Sequence, residues 1–216
     1  MNWKRRRPTK PNRARLADAL DQQDQLRPVR RYRTETQQVY QLKVTLKDIR
    51  PPIWRRLLVP DFTLDDLHET IQIAMGWETY HLYSFEIGTK QYTHPQMDEG
   101  ELNMEDSTAT MLSNVLYKAK QKLIYTYDFG DNWKHEIVVE KIEQPEAVQR
   151  LPIVVKGVRA CPPEDVGGWW GYAEYLEAMA NPRHERHEEF MGWRGPFNPK
   201  AFDADAANET LRKVFR

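Results

Sequence analysis

The chain contains a single cysteine, Cys161, among its 216 residues. No intramolecular disulfide can form, so a secreted fold held together by several bridges is excluded. A membrane-spanning helix needs about 18 consecutive apolar residues, and the sequence has no such run. The Arg- and Pro-rich amino terminus also lacks the apolar core of a signal peptide. These absences predict a soluble cytoplasmic protein with no membrane partner.

The chain also lacks a net charge, since it has 32 basic and 32 acidic residues. The charges are unevenly placed, however. Residues 1–38 carry 11 Lys or Arg against 4 Asp or Glu, whereas residues 39–216 carry 21 against 28. The balanced total therefore hides a basic arm of net charge +7 joined to an acidic body of net charge −7.

The basic arm, residues 1–38, is predicted to be disordered when alone. It has too few apolar residues to offset the conformational entropy that ordering would remove. Flexible cations of this kind bind nucleic-acid phosphates and release counterions. A solubilising tail is the alternative interpretation. The residues expected to contact nucleic acid are Lys4, Arg5, Arg6, Arg7, Lys10, Arg13 and Arg15.

Residues 39–216 show the patterns of a single α+β domain. Leu42, Val44 and Leu46 alternate with polar residues, as a half-buried strand requires. The segment 63–76 has an N-capping residue, helical spacing of its apolar residues and a terminal glycine. We therefore predict a mainly antiparallel sheet of hairpins with helices packed on one face.

Further elements are predicted along the same domain. The central hairpin is expected to place Phe129 on the apolar face of its first strand, and His81 is expected to begin another strand. Residues 97–108 are interpreted as an acidic loop. The other expected elements are a returning strand over 53–59, strands over 81–87, 90–93 and 153–158, and helices over 111–117, 172–181 and 203–215.

Five segments carry the pattern of a known family. They are Ile49-Arg-Pro-Pro-Ile-Trp-Arg-Arg56, Leu67-His68 running on to Met75-Gly-Trp77, His81-Leu-Tyr-Ser-Phe85, Tyr125-Thr-Tyr-Asp-Phe-Gly-Asp-Asn-Trp-Lys-His135 and Ala160-Cys-Pro-Pro-Glu-Asp-Val-Gly-Gly168. With these segments the chain closely resembles the plasmid pRiA4b ORF-3-like family. The resemblance implies a microbial α+β domain of the accessory genome, often carried on plasmids and mobile elements. It implies no particular reaction.

Asp128, Asp131 and His135 are the candidate catalytic residues, because carboxylates and a nearby imidazole suit acid-base work or metal binding. In a regular hairpin, Asp128 would point away from the face that carries His135. A direct pair would need a bulge. The favoured interpretation is therefore a turn with a hydrogen-bonded histidine.

The loop 161–168 offers a second candidate site. Adjacent carboxylates would suppress the thiolate of Cys161, so this residue is interpreted as a small buried hydrophobe. Glu164 and Asp165 are the weak candidates for binding a hard divalent metal through oxygen.

An aromatic and acidic face is predicted to hold a partner or a small ligand, with a role in the core as the alternative for its aromatic members. Its predicted residues are Trp54, His81, Trp133, Glu164, Asp165, Gly167, Gly168 and Tyr172.

Three functions follow from these patterns. The preferred hypothesis is a non-enzymatic binding module with no cofactor, whose basic arm contacts nucleic acid. The first alternative is a hydrolase that uses a divalent metal and acidic or histidine residues of the two signature loops to cleave phosphoesters. The second alternative is a protein-protein adaptor, which a large exposed apolar patch would favour.

Overall fold

A computed structural model describes residues 38–97, 103–144 and 150–215. The basic arm, apart from its last residue, lies outside these ranges. The strands are β1 (Val39–Leu46), β2 (Trp54–Pro60), β3 (Tyr83–Ile87), β4 (Lys90–Thr93), β5 (Glu105–Asp106), β6 (Lys122–Tyr127), β7 (Trp133–Glu143) and β8 (Ile153–Val158). The helices are α1 (Leu64–Met75), α2 (Leu112–Val115), α3 (Gly168–Ala180), α4 (His187–Arg194) and α5 (Ala204–Val214), with a 3₁₀ turn at Pro95–Met97.

The eight strands form one sheet in the order β5-β4-β3-β6-β7-β1-β2-β8. Neighbouring strands are antiparallel except β4 and β5, which are parallel. Helix α5 packs against β8 and α1, and α1 also contacts β2. The predicted α+β fold with a mainly antiparallel sheet is confirmed.

One face of the sheet is buried, as the alternation in β1 predicts. Leu42, Val44 and Leu46 are buried, whereas Lys43 and Thr45 face outward and are partly exposed. The polar-apolar period of two therefore decides which face meets the helices.

Local signals also set the ends of α1. The hydroxyl of Thr63 accepts from the backbone N–H of Asp66 at 3.1 Å, and the carboxylate of Asp66 accepts from the backbone N–H of Thr63 at 3.1 Å. This reciprocal capping box satisfies two donors at the helix start. Gly76 ends the helix with φ 85°, a left-handed conformation that suits glycine.

Several predicted boundaries need correction. His81 precedes β3 instead of beginning it, and Phe129 is exposed in the connection between β6 and β7. The acidic stretch contains the short strand β5, and α3 begins at Gly168, before the predicted Tyr172. Helix α4 was not predicted. In each case side-chain periodicity is short or interrupted by glycine, so tertiary contacts decide the boundary.

Arg55 is a buried cation that connects three elements. Its guanidinium donates to the carbonyls of Ala74 at 2.8 Å, Trp54 at 2.9 Å, Val158 at 3.0 Å and Arg159 at 2.8 Å. The fifth donor lies 3.6 Å from the thiol of Cys161. The guanidinium carbon is also 3.7 Å from the ring centre of Phe202. All five N–H donors of the side chain are therefore engaged.

The outer edge of β8 is closed by a side chain. The amide of Asn208, in α5, accepts from the backbone N–H of Val154 at 2.7 Å and donates to its carbonyl at 3.0 Å. Asn208 thus supplies the two hydrogen bonds that a further strand would make at this position.

None of the helices in the described ranges is both long enough and apolar enough to cross a bilayer.

Candidate metal centre

The pairing of β3 with β6 brings His81 and Asp128 together. Tyr83 lies opposite Tyr127 in an antiparallel register, so residues just before β3 lie beside residues just after β6. The backbone N–H of Asp128 donates to the carbonyl of Leu82 at 2.9 Å and extends this pairing. His81 Nε2 consequently lies 3.6 Å from Asp128 Oδ2.

Asp165 reaches the same place from the loop between β8 and α3. Its Oδ1 lies 3.1 Å from His81 Nε2. One possible ligand atom from each of His81, Asp128 and Asp165 lies within 4.8 Å of the others. Ligands at ~2.0–2.6 Å from a divalent ion are at most about 5 Å apart across it. The three residues, which we call the His-Asp-Asp cluster, therefore fit one coordination sphere.

The backbone holds both carboxylates of the cluster in an uncommon conformation. Asp128 has φ 55° and Asp165 has φ 61°, in the left-handed region that non-glycine residues rarely occupy. Oδ1 of Asp128 accepts from the backbone N–H groups of Gly130 at 2.9 Å and Asp131 at 3.3 Å. These bonds fix the carboxylate so that its other oxygen faces His81.

Solvent reaches the cluster from one side. The side chain of Asp128 is 12% exposed, that of His81 is 29% exposed and that of Asp165 is 64% exposed. An ion held here would keep coordination positions open toward solvent on the side of Asp165. Three protein ligands with an open position are typical of catalytic metal sites, whereas structural sites are closed by four.

Glu164 faces the interior and does not join the cluster, although it was a metal candidate. Its Oε1 accepts from the hydroxyl of Tyr127 at 2.5 Å, and its Oε2 accepts from the backbone N–H of Glu78 at 2.9 Å. The hydroxyl of Tyr127 accepts in turn from the backbone N–H of Tyr80 at 3.0 Å. Burial raises the pKa of Glu164, and these hydrogen bonds oppose the shift in part. The carboxyl therefore ties the segment before β3 to the loop after β8.

Asp131 also supports the site from outside the cluster. Its Oδ2 accepts from the backbone N–H of Gly167 at 3.1 Å. Gly168 has φ 66°, and a Cβ added there would lie 2.8 Å from the carbonyl oxygen of Asp131. The two glycines thus let the start of α3 approach the β6–β7 connection closely.

His135, the third catalytic candidate, lies in the core. Its side chain is fully buried, and its ring packs edge-on against Trp77 with 5.3 Å between the ring centres. Burial lowers the pKa of His135 to about 4. The nearby backbone of Tyr125 and Trp133 favours the protonated ring only weakly, and neither ring nitrogen completes a hydrogen bond of normal geometry. The imidazole of His135 is therefore enclosed in the core, where solvent does not reach it.

Three other residues of the predicted ligand face lie away from the cluster or beneath the surface. Trp133 and Tyr172 are buried in the core. Trp54 lies on the outward face of the sheet, where the cations of Lys43 and Arg56 are 5.3 and 5.4 Å from its ring centre. Of the predicted ligand face, His81 and the loop 164–168 are thus the parts that lie in or next to the cluster.

Cys161 is buried, as expected of a small hydrophobe. Its Sγ lies 3.1 Å from the sulfur of Met75. Burial raises the pKa of the Cys161 thiol to about 11, and the nearby guanidinium of Arg55 lowers it only in part. A thiol in this state is a poor nucleophile.

Comparison with known proteins identifies the family to which this chain belongs. The family model described as plasmid pRiA4b ORF-3-like protein matches residues 38–206, which include every residue of the His-Asp-Asp cluster. The chain belongs to the plasmid pRiA4b ORF-3-like family. The family resemblance of the sequence motifs is thereby confirmed.

This pRiA4b ORF-3-like chain is similar to a curated protein and to a solved structure. The uncharacterized protein y4hQ of Sinorhizobium fredii (strain NBRC 101917 / NGR234) is 41% identical over 172 residues, which is 79% of this chain and 86% of that protein. The crystal structure of a protein of unknown function, MM3350 from Methanosarcina mazei Go1, is similar with a TM-score of 0.71 and 37% identity. It covers 78% of this chain and 97% of its own. Neither description names a ligand or a reaction.

Proposed function

We propose that this pRiA4b ORF-3-like protein is a metal-dependent hydrolase of phosphoesters, with the metal at His81, Asp128 and Asp165. The convergence of these three side chains from separate segments carries the proposal. This convergence favours the hydrolase hypothesis, which needs metal ligands from separate loops, over the non-enzymatic binding module. If Asp128 served only to stabilise its own turn, the turn would not require Asp165 or His81.

The donor set favours particular ions. Carboxylates suit Mg²⁺, Ca²⁺ and Mn²⁺, whereas imidazole suits Zn²⁺ and other transition ions. One imidazole with two carboxylates therefore points to Mn²⁺ or Zn²⁺ ahead of Mg²⁺ and Ca²⁺.

The reaction follows from an ion with open positions. His81, Asp128 and Asp165 would hold the ion, which would supply a water of lowered pKa and a positive charge for a phosphoryl oxygen. In the overall reaction, a bond from phosphorus to a water oxygen would replace the bond from phosphorus to the leaving oxygen, and a proton of that water would end on the leaving alcohol. The net change is the addition of one water across the ester bond.

Metal binding is tested on the full chain after chelation, by titration calorimetry with Mn²⁺ or Zn²⁺. Asp128→Asn and Asp165→Asn are each expected to weaken binding by about tenfold or more. Asp48→Asn is the matched control, because Asp48 is also left-handed with φ 63° but is exposed outside the cluster. Equal affinity in all four proteins would refute the site.

Hydrolysis is tested with bis(4-nitrophenyl) phosphate and 4-nitrophenyl phosphate by release of nitrophenolate. We expect activity that chelation removes, that Mn²⁺ or Zn²⁺ restores, and that Asp128→Asn abolishes. Metal binding without hydrolysis of either ester would contradict the hydrolase hypothesis and favour the non-enzymatic binding module.

The concentration of basic residues in the arm favours a second function, which is contact of the basic arm with nucleic acid. This proposal rests on the net charge of +7 over residues 1–38. Replacing Lys4, Arg5, Arg6 and Arg7 by Gln in the full chain is expected to weaken DNA or RNA binding and to flatten its dependence on salt. An unchanged salt slope would exclude these cations from the contact.

A further inference from the structure

Exposed aromatic and aliphatic side chains concentrate in the chain segments that carry the His-Asp-Asp cluster. Among the described residues, eight large hydrophobic side chains are exposed, and five of them flank the cluster ligands in sequence. These five are Tyr80, Leu82, Phe129, Trp169 and Trp170. We call them the aromatic rim. Most other aromatic side chains of the domain are buried, so this concentration is not a general property of its surface.

Trp169 and Trp170 are the most prominent members of the rim. They follow Gly168, the first residue of α3, whose backbone packs against Asp131 beside the cluster. Their ring centres are 3.8 Å apart with 27° between the ring planes. Trp169 is 45% exposed and Trp170 is 71% exposed. A stacked indole pair with an open outer surface therefore follows directly after the loop that carries Asp165.

The core does not account for these side chains. Trp77 and Trp133 show where the fold uses indoles for packing, since both are buried. An exposed indole leaves a large apolar surface in water, and a first helical turn would accept small polar residues equally well. The rim consequently offers an exposed apolar surface on which a ligand or a partner could pack.

A planar base is the occupant that agrees with the rest of the chain. Aromatic side chains bind bases by stacking, with little dependence on base identity. A metal at the cluster would take phosphate oxygens, and phosphate and base are joined in every nucleotide. The cationic arm, residues 1–38, has the charge that a polyanionic strand requires.

Resting on the proposed metal site, we infer that the substrates carry nucleobases: nucleotides or single-stranded nucleic acid, with a phosphate at the His-Asp-Asp cluster and a base stacked on Trp170. A base within a duplex is already stacked on its neighbours, so a duplex presents no free face to the indole. The rim thus selects single strands and free nucleotides over duplexes and over sugar phosphates.

The inference is tested with the full chain loaded with Mn²⁺, by calorimetry with adenosine 5′-monophosphate and with ribose 5-phosphate. A fluorescein-labelled single strand of about ten nucleotides, and the same sequence as a duplex, are compared by anisotropy. We expect the nucleotide and the single strand to bind more tightly than the sugar phosphate and the duplex.

Trp170→Ala is expected to weaken binding of the nucleotide and the single strand by about tenfold to a hundredfold, the effect of one lost stacking contact. Affinity for Mn²⁺ and for ribose 5-phosphate should stay the same, and Trp170→Phe should restore part of the loss. Tyr117→Ala is the matched control, because Tyr117 is 73% exposed but lies outside the segments of the rim. It should change none of these affinities.

Two results would overturn the inference. One is equal affinity for the nucleotide and ribose 5-phosphate, with no effect of Trp170→Ala. The other is that Trp170→Ala changes the oligomeric state, measured by sedimentation, and leaves nucleotide binding unchanged. The rim would then be a contact between proteins, as the adaptor hypothesis requires. The titration with Mn²⁺ alone measures metal binding separately. A failure of base recognition with normal Mn²⁺ affinity is therefore distinguishable from a failure of the proposed metal site.

Discussion

The buried guanidinium of Arg55 gives a sharp prediction about stability. Four backbone carbonyls and a thiol accept its donors, and they belong to β2, the end of α1, the last residue of β8 and the segment after it. Burial lowers the pKa of Arg55, so the cation depends on these contacts to compensate for lost hydration. Arg55→Lys keeps the charge but offers three donors in place of five.

The expected loss follows from the donors removed. At least two hydrogen bonds of a charged group disappear in Arg55→Lys, and each contributes ~1.5 kcal/mol or more. The contact with Phe202 is also weakened. We expect the free energy of unfolding to fall by about 3 kcal/mol, which corresponds to a decrease in Tm of roughly 6–12 °C for a domain of this size. Urea unfolding followed by tryptophan fluorescence measures the change.

Arg56→Lys is the matched control at the next residue. Arg56 donates to Glu140 at 2.6 and 2.8 Å on the outward face, where both side chains are partly exposed. Such a pair contributes about 1 kcal/mol or less. Two results would refute the reasoning: a loss of unfolding free energy below ~1 kcal/mol in Arg55→Lys, or a gain of stability in Arg55→Met. In either case the cost of burying the cation would match or exceed the benefit of its hydrogen bonds.

Two further predictions concern pH and backbone. The folded pKa of His135, about 4, is below its ordinary value of 6.5, so between these values the unfolded chain binds a proton that the folded chain does not. Stability should therefore fall by up to ~3 kcal/mol as pH drops through this window, and urea titrations at successive pH values should show a flatter profile for His135→Phe. Gly168→Ala should destabilise the fold by about 2 kcal/mol in thermal unfolding and weaken metal binding, because its φ is 66° and Asp131 is close. Gly192→Ala, with no atom near its added Cβ, should instead be neutral or stabilising by up to ~1 kcal/mol. Equal effects of the two glycine substitutions, or the same pH profile in His135→Phe, would contradict these explanations.

The parts of the fold that could be predicted depend on local signals. Alternation in β1 and the capping pattern of α1 each involve residues within one element, so periodicity and capping chemistry are sufficient to recognise them. The boundaries around His81, Phe129 and Gly168 were wrong because each lies where a strand or helix meets a connection. Their conformation depends on contacts with segments distant in sequence.

The cluster itself could be predicted only in part. Asp128 and Asp165 were candidates, but the sequence does not contain the pairing of β3 with β6 that sets His81 beside Asp128. The hairpin argument placed Asp128 in a regular strand, whereas its φ of 55° turns the carboxylate toward a neighbouring strand. The family motifs marked all three residues, yet His81 meets Asp128 only through the register of two strands that are not consecutive, and Asp165 comes from a loop distant in sequence.

An open sheet ends in two strands whose outer backbone groups can recruit a strand from another molecule. At one end this protein places β5, which is only two residues long. At the other, Asn208 occupies both backbone groups of Val154. Both features oppose edge-to-edge pairing of sheets from two copies of the chain. Asn208, a side chain of α5, thus acts against aggregation through β8.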